Sequence, residues 1–355
     1  MLWLIGIGIN GYKGISIRAL DILKMSDTIY VERFTSALSD EELAGLNILI
    51  GKEDSSIIIP VQRWFVEDGR EILNEAMTKN IVLLTYGDPL IATTLTELYV
   101  RAVKSSIKVN IIHAASGLTS LIGETGLHIY KFGRTVTMML EFKSNISVYN
   151  TIFDNLMVGN HTLILTEYND THNKLFFLDP GCVFKSLLEL EQDLRYGIFS
   201  EGTFVIVTSR IGTEQQKIMS GKVKSLINTD FGIGPHSIII TGPLHFTELD
   251  ALTTLTCNID QPIDNTLNIQ KISVNMVKKY APKAKYAVDQ LKCTIREENN
   301  FSTSKGLIEV LDNADYYIDD AERFLKQGKL ELAVLSIGYA EGLIDALRFK
   351  KEIAS

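Results

Sequence analysis

With 355 residues and 46% hydrophobic content, the chain can bury more than one core. A net charge of −8 argues against general nucleic-acid binding, which depends on basic patches that neutralise phosphates. Cys182, Cys257 and Cys293 lie far apart with no CxxC pair, which excludes a disulfide framework and a cysteine zinc site and makes a reduced cytoplasm the expected compartment.

The chain opens on Met1-Leu2-Trp3-Leu4-Ile5-Gly6, which lacks the basic flank and cleavage site of a signal peptide and reads as a first strand, Trp3–Gly8. No apolar run approaches the roughly 18 residues needed to span a bilayer. Further strands are expected at Thr28–Val31, Ile57–Pro60, Ile81–Thr85, Lys108–Ile112, Thr135–Leu140, His161–Thr166, Thr203–Ser209 and Ser237–Thr241. Between them, helical patterns cover Ser16–Lys24, Val66–Thr78, Thr93–Ser105, Ser147–Val158, Val183–Tyr196 and Glu214–Leu226. This alternation predicts an α/β protein with a partly parallel sheet, and a break near residues 110–116 divides it into two lobes.

The composition changes near residue 270. Residues 270–355 hold 4 of the 25 glycines and carry 14 Lys+Arg against 13 Asp+Glu, so the acidity belongs to the first part. Asn258–Asn265 reads as a linker. Beyond it, Leu307, Val310, Leu311, Ala314, Ile318, Ala321 and Leu325 mark one helix face, and Gly328 supplies a stop. Leu332, Leu335, Tyr339, Leu343, Ala346 and Leu347 mark a second, and residues 275–297 a third. A helical hairpin or small bundle is expected, with no catalytic-looking cluster.

Four segments can carry chemistry. Gly87-Asp88-Pro89-Leu90 ends an apolar strand and precedes a helix, at the sheet edge where open α/β folds bind ligands. Asp88 can accept hydrogen bonds from a ligand or cap the helix that follows. His113-Ala114-Ala115-Ser116-Gly117 lies after another strand; Ser116 and Gly117 can offer backbone groups to a ligand, or Ser116 can be a simple cap. Gly6, Gly8 and Gly11 have GxGxxG spacing, but the stretch to Gly14 looks like an extended loop, and Glu32 is the one acidic candidate for a dinucleotide ribose. His236, after Gly234-Pro235, can face a cleft. The six histidines show no metal-site spacing, and there is neither a GxSxG elbow nor a GxxxxGK[ST] loop.

Taken in order, Leu2–Gly8, Gly87–Thr94, Ile112–Ser116 and Gly126-Leu127-His128-Ile129-Tyr130-Lys131-Phe132-Gly133 resemble the diphthine synthase branch of the tetrapyrrole-methylase-like family over about residues 1–255. Arg210-Ile211-Gly212 and Pro235–Ile240 add later matches, and the Gly126–Gly133 string is the most specific. The resemblance implies a two-lobed α/β fold with the ligand cleft between lobes 1–112 and 113–258, a linker at 259–269 and a small all-α domain at 270–355. It implies S-adenosyl-L-methionine as cofactor, no metal, a homodimer, and a pocket lined by Ile9, Asp88, Ile91, Ser116, Gly117, Thr166, Ile211 and His236. The implied reaction methylates the amino group of 3-amino-3-carboxypropyl-histidine on translation elongation factor 2, forming diphthine in diphthamide biosynthesis. A proton acceptor is needed, for which His113 and Glu124 lie near in sequence. Two places depart from the family pattern: Leu95, where the family often has His, and Met138–Asn145. Residues 270–355 resemble a helical domain of unknown function found in archaea, which implies an archaeal source. Alternative readings are a cobalamin-precursor methyltransferase and a non-catalytic S-adenosylmethionine-binding module; an NAD oxidoreductase ranks last.

Overall fold

The computed structural model describes all residues except 35–37, 52–57, 142–144, 170–175, 268, 270–271, 298–300 and 355. Part of the divergent 138–145 stretch therefore lies outside the described residues, as do Ile57 and much of the 268–271 junction. The chain divides into two compact units, Met1–Asn268 and Ile269–Ser355.

The first sheet is built from β1 (Leu2–Gly6), β2 (Thr28–Glu32), β3 (Ile58–Val61), β4 (Ile81–Thr85) and β5 (Val109–Ile112). All are parallel, in the order β3-β2-β4-β1-β5. A parallel sheet is covered on both faces, so its strands read as unbroken apolar runs. In β4, Ile81 and Leu83 enter one core while Val82 and Leu84 enter the other. The helices Ile17–Met25 and Asp40–Leu49 cover the Val82 face, and Arg63–Asp68, Arg70–Ala76 and Leu95–Lys104 cover the Ile81 face. The chain thus leaves β1 toward one face and leaves the adjacent β4 toward the other. Their carboxyl ends open a crevice between them, the topological switch point of an open α/β sheet.

The second sheet contains β6 (Val136–Met138), β7 (Thr162–Thr166), β10 (Phe204–Ser209), β11 (Lys217–Lys222), β12 (His236–Ile240) and β13 (Cys257–Asn258), in the order β13-β11-β10-β12-β7-β6. Its centre is antiparallel: β10 runs against both β11 and β12, and β12 against β7. A separate two-stranded piece joins β8 (Tyr168–Asn169) to β9 (Phe176–Phe177). All strands of the first sheet fall within 2–112 and all those of the second within 136–258.

Several expectations are corrected. Glu214–Leu226 is not one helix: Lys217–Lys222 is a strand and only Val223–Leu226 is helical. A glycine inside a helix is unfavourable, whereas Gly221 here pairs with Val205 and lies against Asp260 and Ile259. Val66–Thr78 is two helices, broken at Gly69, whose φ of +59 ends the first. Most of the expected linker 259–269 belongs to the first unit. The Ile259 amide donates to Ser220 O (2.8 Å), Asp260 accepts from the Lys222 amide (2.8 Å), and buried Asn265 bonds Phe204 and Thr241. Two unexpected helices, Asp40–Leu49 and Phe246–Leu255, both begin in capping boxes, Ser39/Glu42 and His245/Glu248.

Glu248 does more than cap. Its side chain is fully buried, and it accepts from Lys131 Nζ, the His128 amide (2.8 Å), the His245 amide (2.8 Å) and His161 Nε2 (3.0 Å). His161 Nδ1 accepts from the Gly242 amide, so its proton sits on Nε2 and the ring is neutral. Burial pushes this imidazole down, and Glu248 only partly opposes it. Burial alone would push the Glu248 carboxyl up, but the donors around it outweigh that and hold it at about 2. The Gly126–Gly133 string therefore ties the helix after β5 to the helix Phe246–Leu255.

In the second unit, helices Ile272–Glu297, Phe301–Lys326 and Leu330–Ala354 share one core. Ala281, Ala284, Ala314, Ala321, Ala333 and Ala340 are all buried there, and such small side chains let helices approach closely. Gly328, at φ +74, forms the expected stop.

Glu248→Gln should lower stability by about 3 kcal/mol, because Lys131 loses its buried anion. The folded pKa lies below the ordinary 4.5, so the carboxylate's contribution is full above about pH 5 and is lost as pH falls through about 2. Urea midpoints across pH 2–7 should show an acid slope in the native chain that is reduced in the variant.

Candidate active site

The crevice is closed into a cleft by the second sheet. Its free volume is about 190 Å³. The first lobe contributes Ile9, the Thr85–Asp88 turn and Ile91–Thr93; the second contributes the start of the helix Gly117–Thr125, Leu165, Thr208, Ile211, Pro235 and Ser237.

The loops after β1 and β4 are locked together. The amide of Gly8 donates to Gly87 O (3.2 Å) and that of Gly87 to Gly8 O (2.9 Å), with φ at +79 and +72. Gly6 has no space for a Cβ, which would collide with Gly87 O. These glycines serve backbone-to-backbone packing. Gly11–Gly14 is a 3₁₀ turn, and the next helix starts only at Ile17, capped by Ser16. No helix N-terminus directly follows Gly11 to receive a pyrophosphate. Glu32 is fully buried, accepting from Thr85 Oγ1 and the Phe34 amide, so it does not meet a ribose.

Asp88 is 5% exposed and joins two loops. Its Oδ1 accepts from the Leu90 amide (2.9 Å), closing its own turn. Its Oδ2 accepts from the Ala114 amide (3.2 Å) and bonds His113 Nδ1 (2.8 Å), both just past β5. It caps no helix, since Leu95–Lys104 begins at Thr94. Ser116 stands at the N-cap of Gly117–Thr125, yet its hydroxyl makes no capping bond. The first amides of a helix have no intrahelical acceptor, and a helix N-terminus favours negative charge. Tyr86 hydrogen-bonds Ile9 O (2.6 Å); burial pushes its hydroxyl up to about 12, so it stays protonated at neutral pH. Thr93 Oγ1 is buried in the lining without a partner. The adjacent Ala92 holds φ +55, a strained value for a residue with a Cβ.

Of the eight residues expected to line the pocket, Ile9, Asp88, Ile91, Ser116, Gly117 and Ile211 do so. Thr166 and His236 do not; their neighbours Leu165, Pro235 and Ser237 do. The two are joined to each other at the ends of adjacent strands. Thr166 Oγ1 donates to His236 O (2.9 Å), and His236 Nδ1 pairs with Ser209 Oγ (2.8 Å). Burial pushes the His236 imidazole down. Sequence reasoning missed Tyr86, Leu165, Thr208 and Ser237. Position next to a matched motif residue was the available signal for Tyr86, Leu165 and Ser237.

The family of tetrapyrrole (corrin/porphyrin) methylases matches residues 1–227. The diphthine synthase of Methanocaldococcus jannaschii is 38% identical over 262 residues, covering 73% of this chain and all of that protein. The diphthine synthase of Methanococcus vannielii is 36% identical over the same shares. The chain belongs to the diphthine synthases. A crystal structure of a diphthine synthase superposes with a TM-score of 0.63 at 28% identity, covering 73% of this chain and 97% of that one. As a member of this branch of methylases, the chain is a methyltransferase of diphthamide biosynthesis. Residues 279–352 match a separate family of unknown function, DUF357. The diphthine synthase similarity therefore accounts for the first unit and leaves the helical one outside it.

Asp88→Ala should cost about 2 kcal/mol, because it leaves the Leu90 and Ala114 amides without an acceptor. It should also weaken S-adenosylhomocysteine binding, and Asp88→Asn should do less of both. Thermal unfolding with and without that ligand checks the pair; an unchanged ligand-induced shift would remove Asp88 from the site.

Proposed function

We propose that this chain transfers a methyl group from S-adenosyl-L-methionine to the amino group of 3-amino-3-carboxypropyl-histidine on translation elongation factor 2, and that repeated transfer forms diphthine. The observation that carries this reading is the Asp88-pinned cleft at the switch point of a diphthine synthase chain. The residues present fit the cofactor. Ile9, Ile91, Leu121, Leu165 and Ile211 supply an apolar seat; Ser116, Gly117 and the unpartnered Thr93 hydroxyl supply polar groups; buried Asp88 supplies one negative charge. When bound, the cofactor supplies an electrophilic sulfonium methyl, and the protein's task is proximity and alignment.

The accepting amine attacks only when neutral, so a group must take its proton. Asp88 is held as an acceptor by the Leu90 and Ala114 amides and orients His113, whose Nδ1 it receives. His113 Nε2 is then left free to accept a proton at an exposed side chain. Glu124 instead accepts from Gln216 (3.1 Å). Tyr86 keeps its proton and cannot act as a base.

We further infer a homodimer working in the cytoplasm of an archaeon; among the described residues no helix is long and apolar enough to cross a membrane. Methylation of a cobalamin precursor is the less supported reading, since the identity over the whole length of the curated relatives lies with diphthine synthases.

Incubation of elongation factor 2 bearing the aminocarboxypropyl histidine with this protein and S-adenosylmethionine should give methyl-sized mass gains on that histidine. Absence of any gain, with the cofactor demonstrably bound, overturns the reading. A chain ending at residue 268 should retain this activity, because the cleft lies wholly in the first unit; loss of activity in a folded truncation would show that the helical unit takes part.

A further inference from the structure

Asp88 is the one charged side chain in the cleft lining among the described residues. The proposed acceptor is an α-amino acid, with a carboxylate beside its reacting amine, so a cation is needed near the lining. Arg210 adjoins the lining in the chain. It follows β10 and precedes Ile211, which lines the cleft. Its backbone holds φ +51, unfavourable for a residue with a Cβ. That conformation is fixed from both sides: its amide donates to Pro235 O (3.0 Å), and its carbonyl accepts from Thr213 N (3.1 Å) and Thr213 Oγ1 (2.9 Å). The side chain is half-buried, and its Nε is shut off from solvent with no hydrogen-bond partner. Burial raises the Tyr86 hydroxyl, and the Arg210 charge partly opposes that rise.

A buried donor without a partner is unfavourable unless a ligand completes it. A guanidinium is always charged and its planar fork matches a carboxylate. We propose that Arg210 binds the α-carboxylate of the acceptor side chain and so positions the amine at the cleft, an assignment that rests on the proposed function. The methyl donor carries an α-carboxylate too. Arg210 borders the lining without belonging to it, while Ser116 and Gly117 stand within the lining and serve the donor.

The test compares elongation factor 2 bearing the aminocarboxypropyl histidine with the same protein carrying the α-carboxamide. Wild type, Arg210→Gln and Arg210→Lys are each assayed for methylation and, when loaded with S-adenosylhomocysteine, for acceptor binding by interferometry. Wild type should prefer acid over amide by about 100-fold. Arg210→Gln should lose about that factor on the acid, mainly through KM, and no longer distinguish the two; Arg210→Lys should restore part. S-adenosylhomocysteine affinity, by calorimetry, should be unchanged in both variants. Equal use of acid and amide by wild type overturns the assignment without any variant being needed. A fall in S-adenosylhomocysteine affinity also overturns it, by placing the donor's carboxylate at Arg210. If wild type binds S-adenosylhomocysteine yet methylates neither acceptor, the proposed function has failed and the assignment falls with it.

Discussion

Everything at the cleft depends on one buried carboxylate holding two loops that would otherwise be independent. β4 and β5 are not neighbours; β1 lies between them. The loops after β4 and β5 therefore share no ladder, and Asp88 supplies the missing connection across β1, from its own turn to Ala114 and His113. The paired amides of Gly8 and Gly87 carry the pairing of β1 and β4 on into their loops. Three strand ends thus become one rigid rim, and the rim carries Ile9, Tyr86, Thr93, Ser116 and Gly117. A buried charge is tolerated there because its oxygens meet three protein donors.

The second lobe has an analogous device, separate from the lining. Glu248 gathers Lys131, His128, His161 and His245 from three parts of the chain. The string that most distinguishes the diphthine synthase branch in this sequence is therefore anchored in architecture. His128 gives its amide and Lys131 its ammonium to Glu248, while Tyr130 is 93% exposed and is not one of the cleft-lining residues. The branch's most specific string and the cleft lining thus occupy different segments of the same chain.

How far the sequence could be read follows from where burial comes from. β1, β4 and β10 are buried on both faces, so their apolar runs announce themselves. Lys217–Lys222 does not: Lys-Ile-Met-Ser-Gly-Lys has few apolar residues and a glycine, and its place is set by pairing with β10 and β13 rather than by its own side chains. Asn258–Asn265 looked like a tether because it is polar, yet Asn265 is polar in order to satisfy the backbone of Phe204 and Thr241. In the cleft, Asp88 is legible through its Gly-Asp-Pro setting. Thr166 and His236 each lie one residue from a lining position, because alternate residues of a strand face opposite sides.

Gly212 shows how the lobes meet. At φ +84, it sits so close to Ile9 and Asn10 that a Cβ would lie 2.5 Å from Ile9 Cγ1 and 2.6 Å from Asn10 Oδ1. The loop after β10 already rests on the loop after β1 as tightly as atoms allow. That abutment limits how closely the two lobes can approach at this point, since a glycine with no side chain is already in contact with the opposite loop. A side chain at position 212 would have to displace the Ile9 and Asn10 side chains, and Ile9 is part of the cleft lining, so the wall of the pocket would be reshaped from a residue outside it.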